Sequence, residues 1–272
     1  MALAAAAHPG PSLAVTTLAA LLTVAFGGSA GLVVVVLATV LSGQLVIGWS
    51  NDLIDAERDA RDARMDKPLA SGAITPRSAA TALGAASAVT LALSLTLGWV
   101  PGMLHLVLVV GSGVAYNLGL KATTFSFVPY ALAFGALPAL TWYAVQGNQS
   151  AQTLGDEAPP IWMLLVGAAL GVGAHLLNAL PDLAHDRAHG IHGLPHRLGA
   201  ARVRLLAPAL LLAGALIAVF APPGPVTRWG WVVAAASVAL SIVAASGRGK
   251  TPFRAAVGIA LLAASALVVA AA

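Results

Sequence analysis

The strongest constraint on how this chain can fold is a series of nine apolar segments separated by short polar loops. They lie at about 12–28, 30–50, 78–99, 102–119, 127–146, 160–180, 203–221, 227–246 and 253–272, and none contains an Asp or Glu. A bilayer core takes roughly 20 apolar residues per helix, and a chain in lipid must satisfy its backbone polar groups internally, which helices do. Charged residues make up 9% of the chain, against about 25% in a soluble domain, too few to cover a water-facing surface. The expectation is an all-α integral membrane protein: nine transmembrane helices around a central cavity, forming one transmembrane domain over 1–272. Cysteine is absent, which excludes disulfides, thiolate metal sites and a Cys nucleophile. No Lys or Arg precedes the first apolar segment, so the n-region of a cleavable signal peptide is not evident.

Breakers and small residues sit where spans need them. Pro9, Pro76, Pro101, Pro159, Pro160, Pro222, Pro223 and Pro252 fall near span ends, as helix breakers should. Pro129, Pro138, Pro181 and Pro208 lie in or beside spans, where they can kink helices lining a cavity. Gly167, Gly171 and Gly173 offer small faces for close helix packing.

Orientation follows from the basic residues. The loops after spans 2, 4, 6 and 8 hold Arg58, Arg61, Arg64, Lys67, Arg77, Lys121, Arg187, Arg197, Arg202, Arg204, Arg248, Lys250 and Arg254, leaving only Arg228 of the 14 for the other face. The positive-inside bias puts these loops in the cytoplasm, with the N-terminus cytoplasmic and the C-terminus outside. The expected location is the plasma (inner) membrane. Because the net charge of +4 is distributed over span ends and forms no patch, membrane lipid explains it better than nucleic acid, and no nucleic-acid partner is expected.

The acids are distributed still less evenly. Asp52, Asp55, Glu57, Asp59, Asp62, Asp66, Asp182 and Asp186 are eight of the ten, and all lie in the loops at the ends of spans 2 and 6. Asp156 and Glu157, in the opposite-face loop 147–158, read as solvated polarity. Asp52, Asp55 and Asp59 are spaced i, i+3, i+7 and share a helical face, as do Asp182 and Asp186 at i, i+4. Like charges so placed repel by a few tenths of a kcal/mol per pair, so two such stripes point to a bound cation. Oxygen ligands without Cys or a compact His set suit Mg²⁺, which completes its shell with substrate phosphates. A merely solvated charged loop would explain one stripe; it explains poorly two at matching span ends.

At these residues the sequence resembles the UbiA family of intramembrane prenyltransferases. The family's N-D-x-x-D-x-x-x-D motif is matched by Asn51-Asp52-x-x-Asp55-x-x-x-Asp59, and its D-x-x-x-D motif by Asp182-Leu183-Ala184-His185-Asp186. Lys67-Pro68-Leu69-Ala70-Ser71-Gly72 is similar to the family's basic-Pro-Leu-x-Ser-Gly run. Tyr116 followed by Lys121, and then Phe134-Gly135-Ala136-Leu137-Pro138, resembles the stretch joining spans 4 and 5. The resemblance covers nearly the whole chain. It implies two Mg²⁺ ions, one per Asp cluster, holding the diphosphate of an isoprenyl diphosphate donor, with Asp52, Asp55, Asp59, Asp182 and Asp186 as catalytic metal ligands. It further implies substrate-binding roles for Asn51, Arg64, Lys67, Tyr116 and Lys121; Asn178, one turn before Asp182, is a substrate-binding candidate by its position. Ionisation of the donor yields an allylic cation, and a lipophilic acceptor, aromatic or a quinone precursor, attacks it at the cytoplasmic face. An apolar cavity excludes the water that would quench the cation.

Two places depart from the family pattern. His8-Pro9 stands where members often have Arg-Pro, and His192-Gly193-Leu194-Pro195 where many have a basic residue and then Ser or Thr; both touch regions expected to shape acceptor recognition. His185, His189, His192 and His196 surround the second motif, but Gly190, Gly193 and Pro195 argue against the unbroken helix that a zinc site there would need. His105 and His175 are intramembrane polar groups and therefore functional candidates; His175, seven residues before Asp182, suits equally the lining of the acceptor cavity and a hydrogen bond to a neighbouring helix.

Two other readings stay open. A terpene cyclase would ionise the same donor and close the cation on itself. A cation or solute transporter would use the acids as a vestibule, but it calls for ionisable residues mid-membrane or unwound helices at matching positions.

Overall fold

The structure, a computed structural model, describes residues 2–65, 67–149, 158–188 and 190–271. These residues form helices and connecting turns. Eight of the helices are long and apolar enough to cross a membrane, and a ninth, Pro9–Ala25, is apolar but shorter. In chain order they are α1 (Pro9–Ala25), α2 (Ala30–Arg61), α3 (Pro76–Thr96), α4 (Trp99–Leu118), α5 (Val128–Gln149), α6 (Ile161–Ala179), α7 (Leu194–Phe220), α8 (Arg228–Ser246) and α9 (Thr251–Ala271). Each apolar segment read from the sequence overlaps one of them, and α2 and α7 extend well beyond theirs.

Local chemistry sets the ends. Ser29, Thr75 and Thr227 cap α2, α3 and α8 through their side-chain oxygens, which satisfies amide groups that the first turn leaves open. Pro9 and Pro76 occupy first-turn positions, where a missing N–H costs nothing. Pro138 and Pro208 remain inside α5 and α7.

Neighbouring contacts run α1–α2–α4–α5–α6–α9 and back to α1, with α3 against α2, and α7 and α8 against the α6–α9 side. The buried apolar core has two halves. One joins Leu22, Val36, Val40, Val109, Leu137, Leu140 and Ala264; the other joins Leu170, Leu177, Ala207, Leu211, Ala256 and Ile259.

Two irregularities place functional side chains. First, α2 has 32 residues, about 48 Å at 1.5 Å per residue, so it outruns a hydrocarbon core of about 30 Å. Its last turns carry Asn51 through Asp59. Second, α4 is π-helical over Leu104–Gly111 before returning to α-helix at Ser112–Leu118. A π segment inserts extra residues into the turn, and that shifts the face presented by Tyr116 and Asn117.

Candidate active site

The first Asp cluster grows from the end of α2. Asp52, Asp55 and Asp59 are 2%, 7% and 4% exposed, so the face they share, as the spacing predicts, points into the protein. Buried carboxylates need partners, and here they are cations. Lys67 Nζ donates to Asp52 Oδ1 at 2.7 Å, and Lys121 Nζ reaches both oxygens of Asp55 at 2.6 and 2.7 Å. Arg58 lies 2.9 Å from Asp55 Oδ2 and 3.9 Å from Asp59 Oδ1. Arg64 and Lys67 both act electrostatically on Asp59.

His8 belongs to the same group. Its backbone adopts the left-handed conformation at φ 50°, uncommon for a residue with a side chain. Its Nε2 lies 3.2 Å from Asp52 Oδ1 and 3.4 Å from Lys67 Nζ. The His8-Pro9 departure, read from sequence as bearing on acceptor recognition, therefore sits against the first Asp cluster.

Asn51 is tied to Asp55 and to a residue the sequence reading did not single out. Asn51 Nδ2 donates to Asp55 Oδ2 and to Asn117 Oδ1, each at 3.2 Å. Asn117 is 3% exposed, one residue after Tyr116 on α4. Its place beside Tyr116 does not by itself separate it in the sequence from the other neutral polar residues of the spans.

The second Asp pair spans a change of helix type. Asp182 ends a short 3₁₀ turn, Leu180–Asp182, and Asp186 lies in the following helix, Leu183–Ala188. Pro181 has no N–H to continue the α6 ladder, so the chain tightens there. Asp182 is exposed and Asp186 half-buried, with His196 Nε2 3.3 Å from Asp186 Oδ2. Arg187 donates to the carbonyl of His196, holding the return of the chain into α7.

Tyr116, one residue before Asn117 on α4, stands in the neighbourhood of both Asp55 and Asp186. Behind it Tyr130 packs edge-to-face at 5.4 Å, and Tyr130 lies between Tyr116 and Asn178 in a polar chain. His175 closes the group, 4.6 Å from Tyr130 and 5.7 Å from Tyr116 between ring centroids. Its Nε2 is 3.1 Å from Ser126 Oγ, which also accepts from Leu194 N–H at 2.9 Å. Gly193 fits against Lys121 and Ser126 so closely that a Cβ would lie 2.5 Å from the Lys121 carbonyl. The second departure, 192–195, is thus the seam that docks the second Asp pair onto the Lys121 loop.

Asn51, Arg64, Lys67, Lys121 and Tyr116 accordingly gather around Asp52, Asp55 and Asp59, while Asn178 belongs to the aromatic group. Asp66, Asp156, Glu157 and His189, and the side chain of His185, lie outside the described residues. Among the described residues no three acidic or His side chains converge as a metal cage. His105 stands apart: it is fully buried between α3 and α2, bonded to Ser94 at 2.8 Å. Gly43 faces it, where a Cβ would come within 2.7 Å of its Nε2, which gives it a packing role.

The chain is similar to known proteins in sequence and in fold. The Cereibacter sphaeroides bacteriochlorophyll synthase 33 kDa chain is 30% identical over 246 residues, covering 84% of this chain and 77% of that protein. The Mycobacterium tuberculosis 1,4-dihydroxy-2-naphthoate octaprenyltransferase is 31% identical over 222 residues, covering 78% and 75%. In fold, the chain is similar to a UbiA homolog from Aeropyrum pernix K1 in its apo form (TM-score 0.72, 20% identity, 95% of this chain and 96% of that one). It is also similar to a UbiA homolog from Archaeoglobus fulgidus bound to GPP and Mg²⁺ (TM-score 0.69, 17% identity, 99% and 100%). Residues 12–261 match the UbiA prenyltransferase family, and with the fold and both motifs in place the chain belongs to that family as an integral membrane prenyltransferase.

Proposed function

We propose that this prenyltransferase moves an isoprenyl group from an allylic diphosphate to a lipophilic acceptor, aromatic or a quinone precursor, inside the membrane. In this reading it spans the membrane nine times, with the active site at the cytoplasmic face. The observation that carries the proposal is the buried face of Asp52, Asp55 and Asp59, with Lys67 and Lys121 paired to its carboxylates.

The residues present fit Mg²⁺. Every acidic donor is a hard carboxylate oxygen, and Asp52 Oδ2 is buried without a hydrogen-bond partner among the described residues, a costly state unless a cation engages it. Asp52, Asp55 and Asp59 would hold one ion and Asp182 and Asp186 a second, with a carboxamide oxygen from Asn51. When bound, Mg²⁺ neutralises charge on the leaving diphosphate.

The chain's own groups do the rest. Lys67, Lys121 and Arg64 exchange carboxylate partners for phosphate oxygens and favour departure of the diphosphate. The allylic C–O bond breaks, and the diphosphate keeps the electron pair. The faces of Tyr116 and Tyr130 attract the cation left behind. The acceptor's nucleophilic atom then forms the new bond and loses its proton. Similarity to a 1,4-dihydroxy-2-naphthoate octaprenyltransferase supports the aromatic acceptor class. Transport is set aside by the family. Cyclisation keeps one observation in its favour, the aromatic group of Tyr116, Tyr130 and Phe134.

Purified protein incubated with Mg²⁺ and a panel of allylic diphosphates, with and without phenolic and quinol acceptors, tests the reading. Diphosphate release that requires an acceptor supports transfer; acceptor-independent hydrocarbon supports cyclisation. Asp52→Ala and Asp182→Ala should each lower turnover by about 10²-fold or more, and unchanged turnover in both would refute the site assignment.

A further inference from the structure

Asn117 touches no carboxylate, yet its hydrogen bonds decide which end of Asn51 is available to a ligand. Its Nδ2 donates to the carbonyl of Ile47 at 2.9 Å and to Ser50 Oγ at 3.0 Å. A backbone carbonyl only accepts. Ser50 Oγ already donates its hydrogen to the same carbonyl at 2.9 Å, so it too can only accept from Asn117. Two acceptors therefore face one end of the Asn117 carboxamide, and that end must be nitrogen. Amide orientation, which otherwise rests on choosing between similar atoms, is settled here by its partners.

The consequence passes along the chain. With Asn117 nitrogen committed to α2, its Oδ1 faces Asn51 and requires a donor, which Asn51 Nδ2 supplies at 3.2 Å. The second hydrogen of that nitrogen goes to Asp55 Oδ2 at 3.2 Å. Both donors of Asn51 are thus used, and its Oδ1 is left as the end that can be offered to a cation. Were Asn51 to flip, its oxygen would face Asn117 Oδ1 and Asp55 Oδ2, two acceptors against a third. Burial strengthens this preference, because in low dielectric an acceptor facing acceptors is costly. Asn117 is 3% exposed, whereas Asn51 is half-buried.

We infer that Asn117 is a positioning residue that holds Asn51 with its carboxamide oxygen toward the metal and Asp55 in its place beside it. The inference rests on the metal-diphosphate reading of the site. It assigns to α4, through Tyr116 and Asn117 together, the task of aligning the α2 cluster, and it gives the π-helical stretch before Asn117 a consequence: the shift in phase brings the carboxamide onto Ile47 and Ser50.

The test measures Mn²⁺ alone, as a Mg²⁺ probe, by the loss of its free-ion paramagnetic resonance signal on titration into detergent-purified full-length protein. Asn117→Leu, similar in volume but without hydrogen bonds, should weaken Mn²⁺ binding about tenfold, the lower end for partners that orient metal ligands. Asn51→Ala should weaken it as much. In the double variant the two losses should coincide rather than multiply, because Asn117 acts through Asn51. In turnover, half-saturation by Mg²⁺ should rise while the acceptor KM stays constant. If Asn117→Leu does not fold, Asn117→Ser, which keeps a donor near Ile47 but cannot reach Asn51, carries the same expectation. Unchanged Mn²⁺ affinity in the folded variant, or multiplicative losses in the double variant, overturns the inference while leaving the metal site standing. A wild-type protein that binds no Mn²⁺ overturns both.

Discussion

Lys121 shows how single residues in this site serve two partners. Its ammonium lies 2.6 and 2.7 Å from the two oxygens of Asp55, and the short 3₁₀ turn Leu120–Ala122 after α4 presents it there. A buried carboxylate and a lysine in contact offset each other's desolvation, and a diphosphate would draw the same ammonium away. Lys121→Met should lower kcat/KM for the donor by about 10²-fold and leave the acceptor KM unchanged, as read from diphosphate release at varied donor. Lys121→Arg keeps the charge but changes its shape, so its activity should fall between the two. Residues of this kind were legible in the sequence because charge is scarce there, so each Asp or Lys stood out against an apolar background. Asn117 and Ser126 were not, since neutral polar side chains occur throughout the spans with no pattern to separate a site residue from a packing one. His8 was noticed as a departure, but only the left-handed turn before Pro9 shows that its imidazole reaches Asp52.

Between elements, the contact that matters most for the aromatic group is α5 on α6. A Cβ at Gly167 would lie 2.3 Å from the carbonyl of Phe134, and one at Gly171 would lie 2.6 Å from that of Tyr130. The two helices therefore meet backbone to backbone, which small residues allow in membranes, and this closeness sets where the Tyr130 ring stands against His175. Gly171→Ala should lower stability by about 1–3 kcal/mol, the usual cost of overfilling a packed interface, seen as a lower thermal midpoint in detergent, with a loss of turnover from displaced Tyr130. Gly84 on α3 is the control: nothing lies within 4 Å of a Cβ there, so Gly84→Ala should leave the midpoint unchanged or slightly higher, alanine being the better helix former. The glycine spacing on α6 was readable as a packing face, though not its partner, because intervals within one helix carry no information about which neighbour fills them. The π segment of α4 was also hidden; Leu104–Gly111 is an apolar run like any other span interior.

At the scale of the molecule, the question the charges raise is which way the bundle sits. The structure already ties α1 to α2 at both ends. The indole of Trp49 donates to the carbonyl of Leu3 at 2.8 Å and His8 reaches Asp52, so the start of α1 lies beside the Asp-bearing end of α2. The short turn Phe26–Ser29 joins the other ends. Seventeen residues give α1 about 26 Å of length, close to the hydrocarbon thickness, which supports the proposed count of nine. The positive-inside bias then makes a prediction that this chain is well suited to test, because it contains no cysteine and any single one introduced is the only thiol. Pro223, between α7 and α8, and Arg248, between α8 and α9, are both exposed and lie at opposite ends of α8. In intact cells a membrane-impermeant maleimide should label Pro223→Cys and spare Arg248→Cys; after permeabilisation it should label both. The reverse pattern would place the Asp clusters outside, where the cytosol could not supply the diphosphate donor directly, and would overturn the proposed orientation. Labelling of both positions in intact cells would mean that α8 does not cross. The proposed orientation matters for the chemistry as well, since the donor is charged at one end and apolar along the rest. A site at the cytoplasmic end of α2 lets the diphosphate stay near water while the tail lies between helices in lipid.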